Sequence, residues 1–373
     1  MTDKNIDNRK ELFDKASRIV IKVGTRLLTD IGRIGDIVSQ IAFLKKEGRE
    51  VILVSSGAVG LGMRTLEMKR RPSELSDVQA LAAIGQSKLM SIYEKECSRH
   101  GFHCAQLLLG ADDLRDRVRH LNIMNCLNSL LSKNILPVIN ENDTVSVDEL
   151  KFGDNDTLAA LIAVMTKADL TVILTTVEGL MTSTASDGEL IPVVKNIDQK
   201  TKKLASGTAD NQFSIGGMSS KIKAAEIVTK AGEPLVIADG RDPLIIKKIF
   251  NGEKRGTIFL SVSKQMSSKK RWLGFFSKSK GRIFVDEGAA TALLNKGKSL
   301  LPTGIKSAEG DFKRGDTVDI YSISGDIIGK GLSNYSALEV LKMSGRKSSE
   351  AKSVLGYQGD DEIVHCDNMT IIG

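Results

Sequence analysis

Short carboxylate and amide side chains are concentrated in two clusters near the middle of the chain. They read Asn-Glu-Asn-Asp at 140–143 and Gly-Asp-Asn-Asp at 153–156. An apolar run at 135–139 precedes them and a helical pattern at 158–165 follows, so they are expected between a strand end and a helix start. In open α/β sheets, ligands bind at the carboxyl ends of strands. Because Asp and Asn are also good helix N-caps, a capped helix after a polar loop is the alternative interpretation.

Two lysines lie in glycine-containing segments that could bind phosphate. Lys22 ends an apolar run and is followed by Val23 and Gly24, and Lys221 ends the segment Ile-Gly-Gly-Met-Ser-Ser-Lys at 215–221. Glycines let backbone N–H groups approach a ligand closely, and helix N-termini favour anions. These segments predict a phosphate site with carboxylates and amides nearby, although Lys22 alone is more typical of a solvated strand end.

Strands that alternate with helices would bring these segments together. Apolar runs predict strands at 18–23, 51–54, 102–108, 135–139, 170–174 and 235–238. Helical patterns lie between most of these strands. This alternation predicts an α/β fold in which a mainly parallel sheet is covered by helices on both faces, a three-layer αβα sandwich. The early strands end in small or polar residues, which places the candidate residues at strand ends.

The pattern changes after residue 260. Residues 262–281 are rich in basic residues and serine and are predicted to be a linker. After them, short apolar runs and frequent glycines predict a small, mostly-β domain. We therefore predict a first domain at 1–261 with the candidate site, a basic linker at 262–281, and a second domain with the C-terminal tail at 282–373.

Composition narrows the class of protein. The chain has 373 residues, of which 41% are hydrophobic and 27% charged, as in soluble globular proteins. A net charge of +7 is compatible with anionic substrates or nucleic acid. The four cysteines show no disulfide spacing. The sequence also shows no signal-like segment and no apolar run of about 20 residues. We therefore expect a cytoplasmic protein without a membrane partner.

The common nucleotide-binding fingerprints are absent from the sequence. It contains neither G-x-x-x-x-G-K-[ST] nor G-x-G-x-x-G in the required strand–helix context, which disfavours P-loop and Rossmann folds.

Five segments, in order and with suitable spacing, resemble those of the glutamate 5-kinases in the amino acid kinase family. They are Val20-Ile-Lys-Val-Gly-Thr25, Val54-Ser-Ser-Gly-Ala-Val59, Ile139-Asn-Glu-Asn-Asp143, Gly153-Asp-Asn-Asp156 and Gly216-Gly-Met-Ser-Ser-Lys221. Farther on, Arg271-Trp272, Val285-Asp-Glu-Gly288 and Leu300-Leu-Pro-Thr-Gly-Ile305 resemble a PUA domain, which implies a small β barrel. The resemblance covers nearly the whole chain after about residue 17.

The resemblance implies a phosphotransferase with a carboxyl acceptor. Such an enzyme phosphorylates the γ-carboxylate of L-glutamate with ATP and Mg²⁺, which is the first step of proline biosynthesis. Lys22 matches the lysine that contacts the transferred phosphate, Lys221 the one that stabilises the transition state, and Asp156 the acid that orients both. Because the substrate carboxylate is already ionised at neutral pH, no general base is required.

The resemblance also implies binding residues and partners. Ser56, Asp143 and Asn155 match glutamate-binding positions, with Asp154 assisting. The nucleotide contacts would come from Lys22, Gly24, Gly57, Thr175, Thr176, Ile215, Gly216, Gly217, Met218, Ser219, Ser220 and Lys221. Many relatives have Asp in place of Thr176 and Thr in place of Ile215, which puts the nucleotide contacts in question. We expect proline as a feedback inhibitor, a homo-oligomer (dimer or tetramer), and no metal held by protein ligands alone.

Two other functions are compatible with the sequence. The same fold could act on acetylglutamate or aspartate, although the two Asn/Asp clusters favour glutamate. The second domain could bind RNA, but the basic stretch around Lys269 is more typical of a solvated linker, so RNA is a disfavoured partner.

Overall fold

The computed structural model describes residues 9–145, 154–183, 188–206, 217–261 and 266–372. It divides into two compact units, residues 1–265 and 266–373. Each unit has its own core of buried apolar side chains. No helix in the described ranges is both long enough and apolar enough to cross a membrane.

In the first unit, helices alternate with strands along most of the chain. Its strands are β1 (Arg18–Val23), β2 (Glu50–Ser55), β3 (Cys104–Leu109), β4 (Leu136–Glu141), β5 (Leu170–Thr175), β6 (Val193–Val194), β7 (Leu235–Asp239) and β8 (Thr257–Phe259). Its helices are α1 (Arg9–Lys15), α2 (Gly32–Lys46), α3 (Ala58–Thr65), α4 (Leu75–Arg99), α5 (Ala111–Arg115), α6 (Arg117–Ser132), α7 (Asn155–Thr166), α8 (Gln199–Ser206), α9 (Met218–Ala231) and α10 (Ile245–Phe250).

The described strands of this unit form one eight-stranded sheet in the order β3-β4-β2-β1-β5-β7-β8-β6. The six strands from β3 to β7 in that order run parallel, and β8 pairs antiparallel with β7. Val23 pairs with Ser55 on one side and Leu174 on the other. The carboxyl ends of β4, β2, β1 and β5 therefore lie side by side, which confirms the predicted α/β fold with a mainly parallel sheet.

The central strands are continuous apolar runs because both faces of the sheet are covered. Five of the six residues of β1 are buried, and so are five of six in β2. Full burial of a Val, Ile or Leu side chain contributes about 1.5–3 kcal/mol, so these strands stabilise the position of the residues at their ends.

Helix α3 was not predicted, because its sequence Ala-Val-Gly-Leu-Gly-Met-Arg-Thr contains two glycines that are unfavourable in helices. Tertiary packing explains one of them. A Cβ at Gly62 would lie 2.0 Å from the carbonyl oxygen of Leu81, and one at Gly85 would lie 1.7 Å from that of Ala58. Small residues at these positions let α3 and α4 approach to backbone contact.

The second unit contains a five-stranded sheet in the order β10-β9-β11-β12-β13. Its strands are β9 (Gly281–Val285), β10 (Ile305–Gly310), β11 (Thr317–Ser322), β12 (Ile327–Leu332) and β13 (Met369–Ile371), and its helices are α11 (Ser268–Arg271), α12 (Glu287–Lys296), α13 (Ala337–Met343) and α14 (Ala351–Leu355). Within the segment predicted as a linker, α11 and the following π-helical turn Trp272–Phe276 pack against β13. The described residues 266–281 thus belong to the second unit.

Candidate active site

Two buried lysines contact opposite oxygens of one buried aspartate in the first unit. Lys22 Nζ lies 2.6 Å from Asp156 Oδ1, and Lys221 Nζ lies 3.0 Å from Asp156 Oδ2. The Asp156 side chain is completely buried, and both lysine side chains are less than a tenth exposed. Ser220 Oγ donates a further hydrogen bond of 2.8 Å to Asp156 Oδ2. The structure therefore brings together the three residues that sequence analysis predicted to be catalytic.

Each of these residues is held by a different secondary structure element. Lys22 precedes the last residue of β1, Asp156 lies in the first turn of α7, and Lys221 lies in the first turn of α9. Asp154 is the N-cap of α7, and its Oδ1 accepts a 2.7 Å hydrogen bond from the Thr157 backbone N–H. This capping bond fixes the start of the helix that carries Asp156.

The environment shifts the pKa values of two of these groups. Burial alone would raise the pKa of Asp156, but the nearby charges of Lys22 and Lys221 outweigh it and hold that pKa below its usual range. Burial lowers the pKa of Lys221, and its attraction to Asp156 offsets only part of this effect. With one carboxylate between two ammonium groups, the buried cluster carries a net positive charge, which suits an anionic ligand.

A chain of amide side chains lies beside this cluster. Asn155 Nδ2 donates to Ser56 Oγ at 2.8 Å and to Asn140 Oδ1 at 3.0 Å. Asn140 Oδ1 also accepts from the Glu141 backbone N–H at 2.9 Å. Because Asn155 and Asp156 are adjacent at the start of α7, the amide chain and the lysine cluster share one edge of the sheet. Ser56 and Asn155, both predicted to bind substrate, are thus in direct contact.

The two glycines at strand ends differ in how their backbones are used. A Cβ at Gly24 would lie 3.5 Å from Lys22 Nζ, an ordinary contact distance, so Gly24 lies directly beside the ammonium group. Its N–H donates to the Leu174 carbonyl oxygen at 3.3 Å, so it would have to exchange partners to bind phosphate. Gly57 has a φ of 100°, a left-handed conformation that favours glycine, and it is the N-cap of α3.

The other predicted residues lie at the same edge of the sheet or outside the described ranges. Asp143 follows the end of β4 by two residues, Thr175 is the last residue of β5, and Thr176 comes next. Gly217 is the N-cap of α9, whose first turn contains Met218, Ser219 and Ser220. Ile215, Gly216 and Gly153 lie outside the described residues.

Two residues of the amide chain, Asn140 and Gln86, were not predicted individually from the sequence. Asn140 Nδ2 donates a 3.0 Å hydrogen bond to Gln86 Oε1 from α4. Asn140 could have been identified, since it begins the Asn-Glu-Asn-Asp cluster at the end of a predicted strand. Gln86 stands alone in a helical segment 54 residues away along the chain, and no local pattern marks it.

Comparison with known proteins identifies the families to which the two units are similar. The profile of the amino acid kinase family matches residues 17–239, and that of the PUA domain matches residues 281–355. Glutamate 5-kinase of Caldanaerobacter subterraneus subsp. tengcongensis is 46% identical over 95% of this chain and 98% of its own length. That of Thermoanaerobacter sp. strain X514 is 44% identical with the same coverage.

A more distant similarity exists among solved structures. Carbamate kinase from Giardia lamblia bound to AMP-PNP aligns with a TM-score of 0.47 and 19% identity, over 66% of this chain and 99% of that chain. The profile matches and the full-length relatives, taken with the buried lysine–aspartate cluster, lead to one assignment: the chain belongs to the amino acid kinase family and carries a PUA domain after its kinase domain.

Proposed function

We propose that the first unit transfers the γ-phosphoryl group of ATP to the side-chain carboxylate of L-glutamate, forming L-glutamyl 5-phosphate and ADP as the first step of proline biosynthesis. The observation that carries this proposal is the buried Lys22–Asp156–Lys221 cluster. The glutamate 5-kinases that resemble this chain over 95% of its length support the choice of substrate.

In the proposed reaction, a γ-carboxylate oxygen of glutamate attacks the γ-phosphorus of ATP while the bond from that phosphorus to the bridging oxygen breaks. Both reactants are anionic, so catalysis consists mainly of positioning and charge stabilisation. Lys22 contacts the transferring phosphoryl group, and Lys221 contacts it from the nucleotide side. Asp156 holds both ammonium groups at fixed positions, so that little reorganisation is needed when charge develops.

The substrate and the nucleotide would lie on either side of the lysine cluster. Ser56, Asn155, Asp143 and Asp154 bind glutamate, with Asp143 pairing with its α-ammonium group. The nucleotide contacts come from the backbone at Gly24 and Gly57, from Thr175 and Thr176, and from the segment 215–221. The helix N-terminus at Gly217 adds partial positive charge near the phosphates.

We also infer that Mg²⁺ accompanies ATP and is held mainly by phosphate oxygens and water rather than by protein ligands. When bound, the ion neutralises negative charge on the phosphates. The described residues fit this arrangement, because both oxygens of Asp156 already contact ammonium groups and Asp154 caps α7. Feedback inhibition by proline and assembly into a dimer or tetramer are further proposals that rest on the resemblance alone.

The reaction is tested by trapping the acyl phosphate with hydroxylamine in the presence of ATP and Mg²⁺. L-glutamate, N-acetyl-L-glutamate and L-aspartate are compared as substrates, and product is expected from L-glutamate alone. Lys221→Ala should abolish most of the product. Lys248→Ala is the matched control, because Lys248 forms an ion pair with Asp242 elsewhere in the same unit. Absence of product from all three substrates, in folded protein that binds ATP, would refute the proposed function.

A further inference from the structure

Gln86 is a buried polar residue with no part in the mechanism described so far. It lies on α4, its side chain is only 7% exposed, and its Oε1 accepts the hydrogen bond from Asn140 Nδ2. Its Nε2 is buried and has no hydrogen-bond partner among the described residues. A buried amide with one end unsatisfied is costly and calls for a physical reason.

The hydrogen bonds fix the direction of the amide chain. The two ends of an Asn or Gln amide are assigned from their partners, and a backbone N–H can only donate. Because the Glu141 N–H donates to Asn140, the atom that accepts must be Oδ1, and Nδ2 must point toward Gln86. Gln86 therefore presents its oxygen to Asn140, and Asn155 must present its nitrogen to Asn140 Oδ1.

This direction determines what Asn155 offers to a ligand. Both hydrogens of its Nδ2 are used, one by Ser56 Oγ and one by Asn140 Oδ1. Its Oδ1 is buried and has no hydrogen-bond partner among the described residues. Asn155 thus has a remaining acceptor and no remaining donor, which suits a cationic donor such as an ammonium group.

The position of Gln86 is set by tight packing of α4. The preceding residue, Gly85, lies in backbone contact with Ala58, two residues after Ser56. Two turns farther along α4, the Tyr93 hydroxyl hydrogen-bonds Ser55 Oγ at 2.8 Å. One face of α4 therefore supports both the amide chain and the Ser56 loop, the residues between the end of β2 and the start of α3.

We propose that Gln86 is a positioning residue for substrate recognition. Together with the Glu141 N–H, its acceptor oxygen holds the amide chain in the direction in which Asn155 Oδ1 accepts a hydrogen bond from the α-ammonium group of the amino-acid substrate. The inference rests on the proposed function, since it concerns the same glutamate site. Without the Gln86 oxygen, the buried Asn140 Nδ2 loses its acceptor, and only the Glu141 N–H still opposes rotation of the amides. In the rotated arrangement, the Asn155 NH₂ group would face the ammonium.

The test uses the full-length protein with two substitutions at Gln86 and one control. Gln86→Met keeps a similar volume but removes the acceptor, whereas Gln86→Glu keeps an oxygen for Asn140. Gln40→Met is the control, because Gln40 is another buried glutamine whose Oε1 accepts from a backbone N–H, that of Ile246.

For Gln86→Met we expect the KM for L-glutamate to rise about tenfold, as for loss of one hydrogen bond to a charged group, with the KM for ATP within about twofold. Gln86→Glu should retain a KM within about threefold of wild type, and Gln40→Met should leave both values within about twofold. Two competitive inhibitors show whether the substitution weakens binding of the substrate's ammonium group. The Ki of 4-aminobutyrate, which keeps the ammonium group, should rise with the KM, and that of glutarate, which lacks it, should stay constant.

The inference is wrong if Gln86→Met leaves the KM for glutamate unchanged, or if it weakens glutarate as much as 4-aminobutyrate. It is also wrong if Gln86→Glu is as impaired as Gln86→Met, because the acceptor would then not be the cause. Should Gln86→Met fail to fold, Asn140→Ser removes the same hydrogen bond from the other side together with the acceptor for Asn155, so the KM for glutamate should rise by at least as much. Wild-type protein that forms no acyl phosphate from glutamate would instead refute the proposed function, and the inference with it.

Discussion

At the scale of single residues, the central feature is one buried carboxylate that forms ion pairs with two ammonium groups. Removing one member of a buried ion pair leaves uncompensated charge, which destabilises by about 3–5 kcal/mol, whereas exposed pairs contribute little. Asp156 is completely buried between Lys22 and Lys221, so its charge supports both the fold and the placement of the lysines.

We predict that Asp156→Asn lowers both turnover and stability. Turnover should fall by about 10²-fold or more, because the lysines lose their common anchor, and the free energy of unfolding should fall by about 3–5 kcal/mol. The lowered pKa of Asp156 gives the stability loss a pH signature. Its stabilising charge is fully present above the unfolded pKa of about 3.9 and is lost as pH falls through the folded pKa. The free energies of unfolding of wild type and Asp156→Asn should therefore converge at acidic pH.

Denaturant unfolding at several pH values measures this effect. The control is Asp242→Asn, which removes the acid from a partly exposed pair with Lys248 and should cost about 1 kcal/mol or less. Equal losses for the two substitutions would show that burial of Asp156 adds nothing to its role.

We predict a second pH effect, at Lys221. Because burial lowers its pKa, this lysine loses its proton below the ordinary value of about 10.4. The value of kcat/KM should therefore decline with rising pH before pH 10.4 is reached.

The contribution of Lys221 to the free energy of unfolding should change in the opposite direction. Between the folded and unfolded pKa values the unfolded chain binds more protons, so the contribution of Lys221 to stability rises with pH. In Lys221→Arg, the alkaline decline of residual activity should move to higher pH, and an unmoved decline would assign it to another group.

At the scale of secondary structure elements, the contact between α3 and α4 supports the substrate side of the site. The Ser56 loop leads into α3, and Gln86 follows the glycine at which α4 meets that helix. Distortion of this contact would shift both groups relative to Asn155.

We predict that Gly85→Ala destabilises the protein by about 1–3 kcal/mol and raises the KM for glutamate. The new Cβ would lie 1.7 Å from the Ala58 carbonyl oxygen, so one of the two helices must move. Gly60→Ala is the matched control, since Gly60 is exposed on α3 and its Cβ would meet no atom within 4 Å. That change should stabilise the helix by up to about 1 kcal/mol and leave the KM unchanged. A KM in Gly85→Ala equal to wild type would show that the helix contact does not position the site.

These elements also show what sequence could reveal. The main strands of the sheet were predicted nearly to their bounds because apolar periodicity is a local signal. The lysine cluster was predicted through a resemblance of motifs. In contrast, α3 was missed because its glycines look unfavourable until the packing of Gly62 is seen. The link from Gln86 to Asn140 was missed because it joins residues 54 positions apart with no shared motif.

At the scale of the whole molecule, the chain consists of two units with separate cores. All of the described residues that we propose for catalysis and substrate binding belong to the first unit. The second unit has its own sheet, which includes the C-terminal strand β13, and α11 packs within it. Residues from 266 onward are therefore part of this unit.

We predict that a truncated protein ending at Gln265 folds and keeps its kinase activity, with kcat for L-glutamate within about threefold of the full-length protein. The physical reason is that the first unit holds the complete Lys22–Asp156–Lys221 cluster and an apolar core large enough to fold alone. Hydroxamate formation and thermal unfolding of both forms provide the measurement, with Lys221→Ala in the truncated protein as the inactive control. A truncated protein that unfolds cooperatively but is inactive would show that the second unit acts on the active site.

A protein that ends instead at Phe276 keeps α11 but lacks the sheet against which that helix packs. It should be less soluble than the protein ending at Gln265, because Leu273 and Phe276 would lose the residues that bury them.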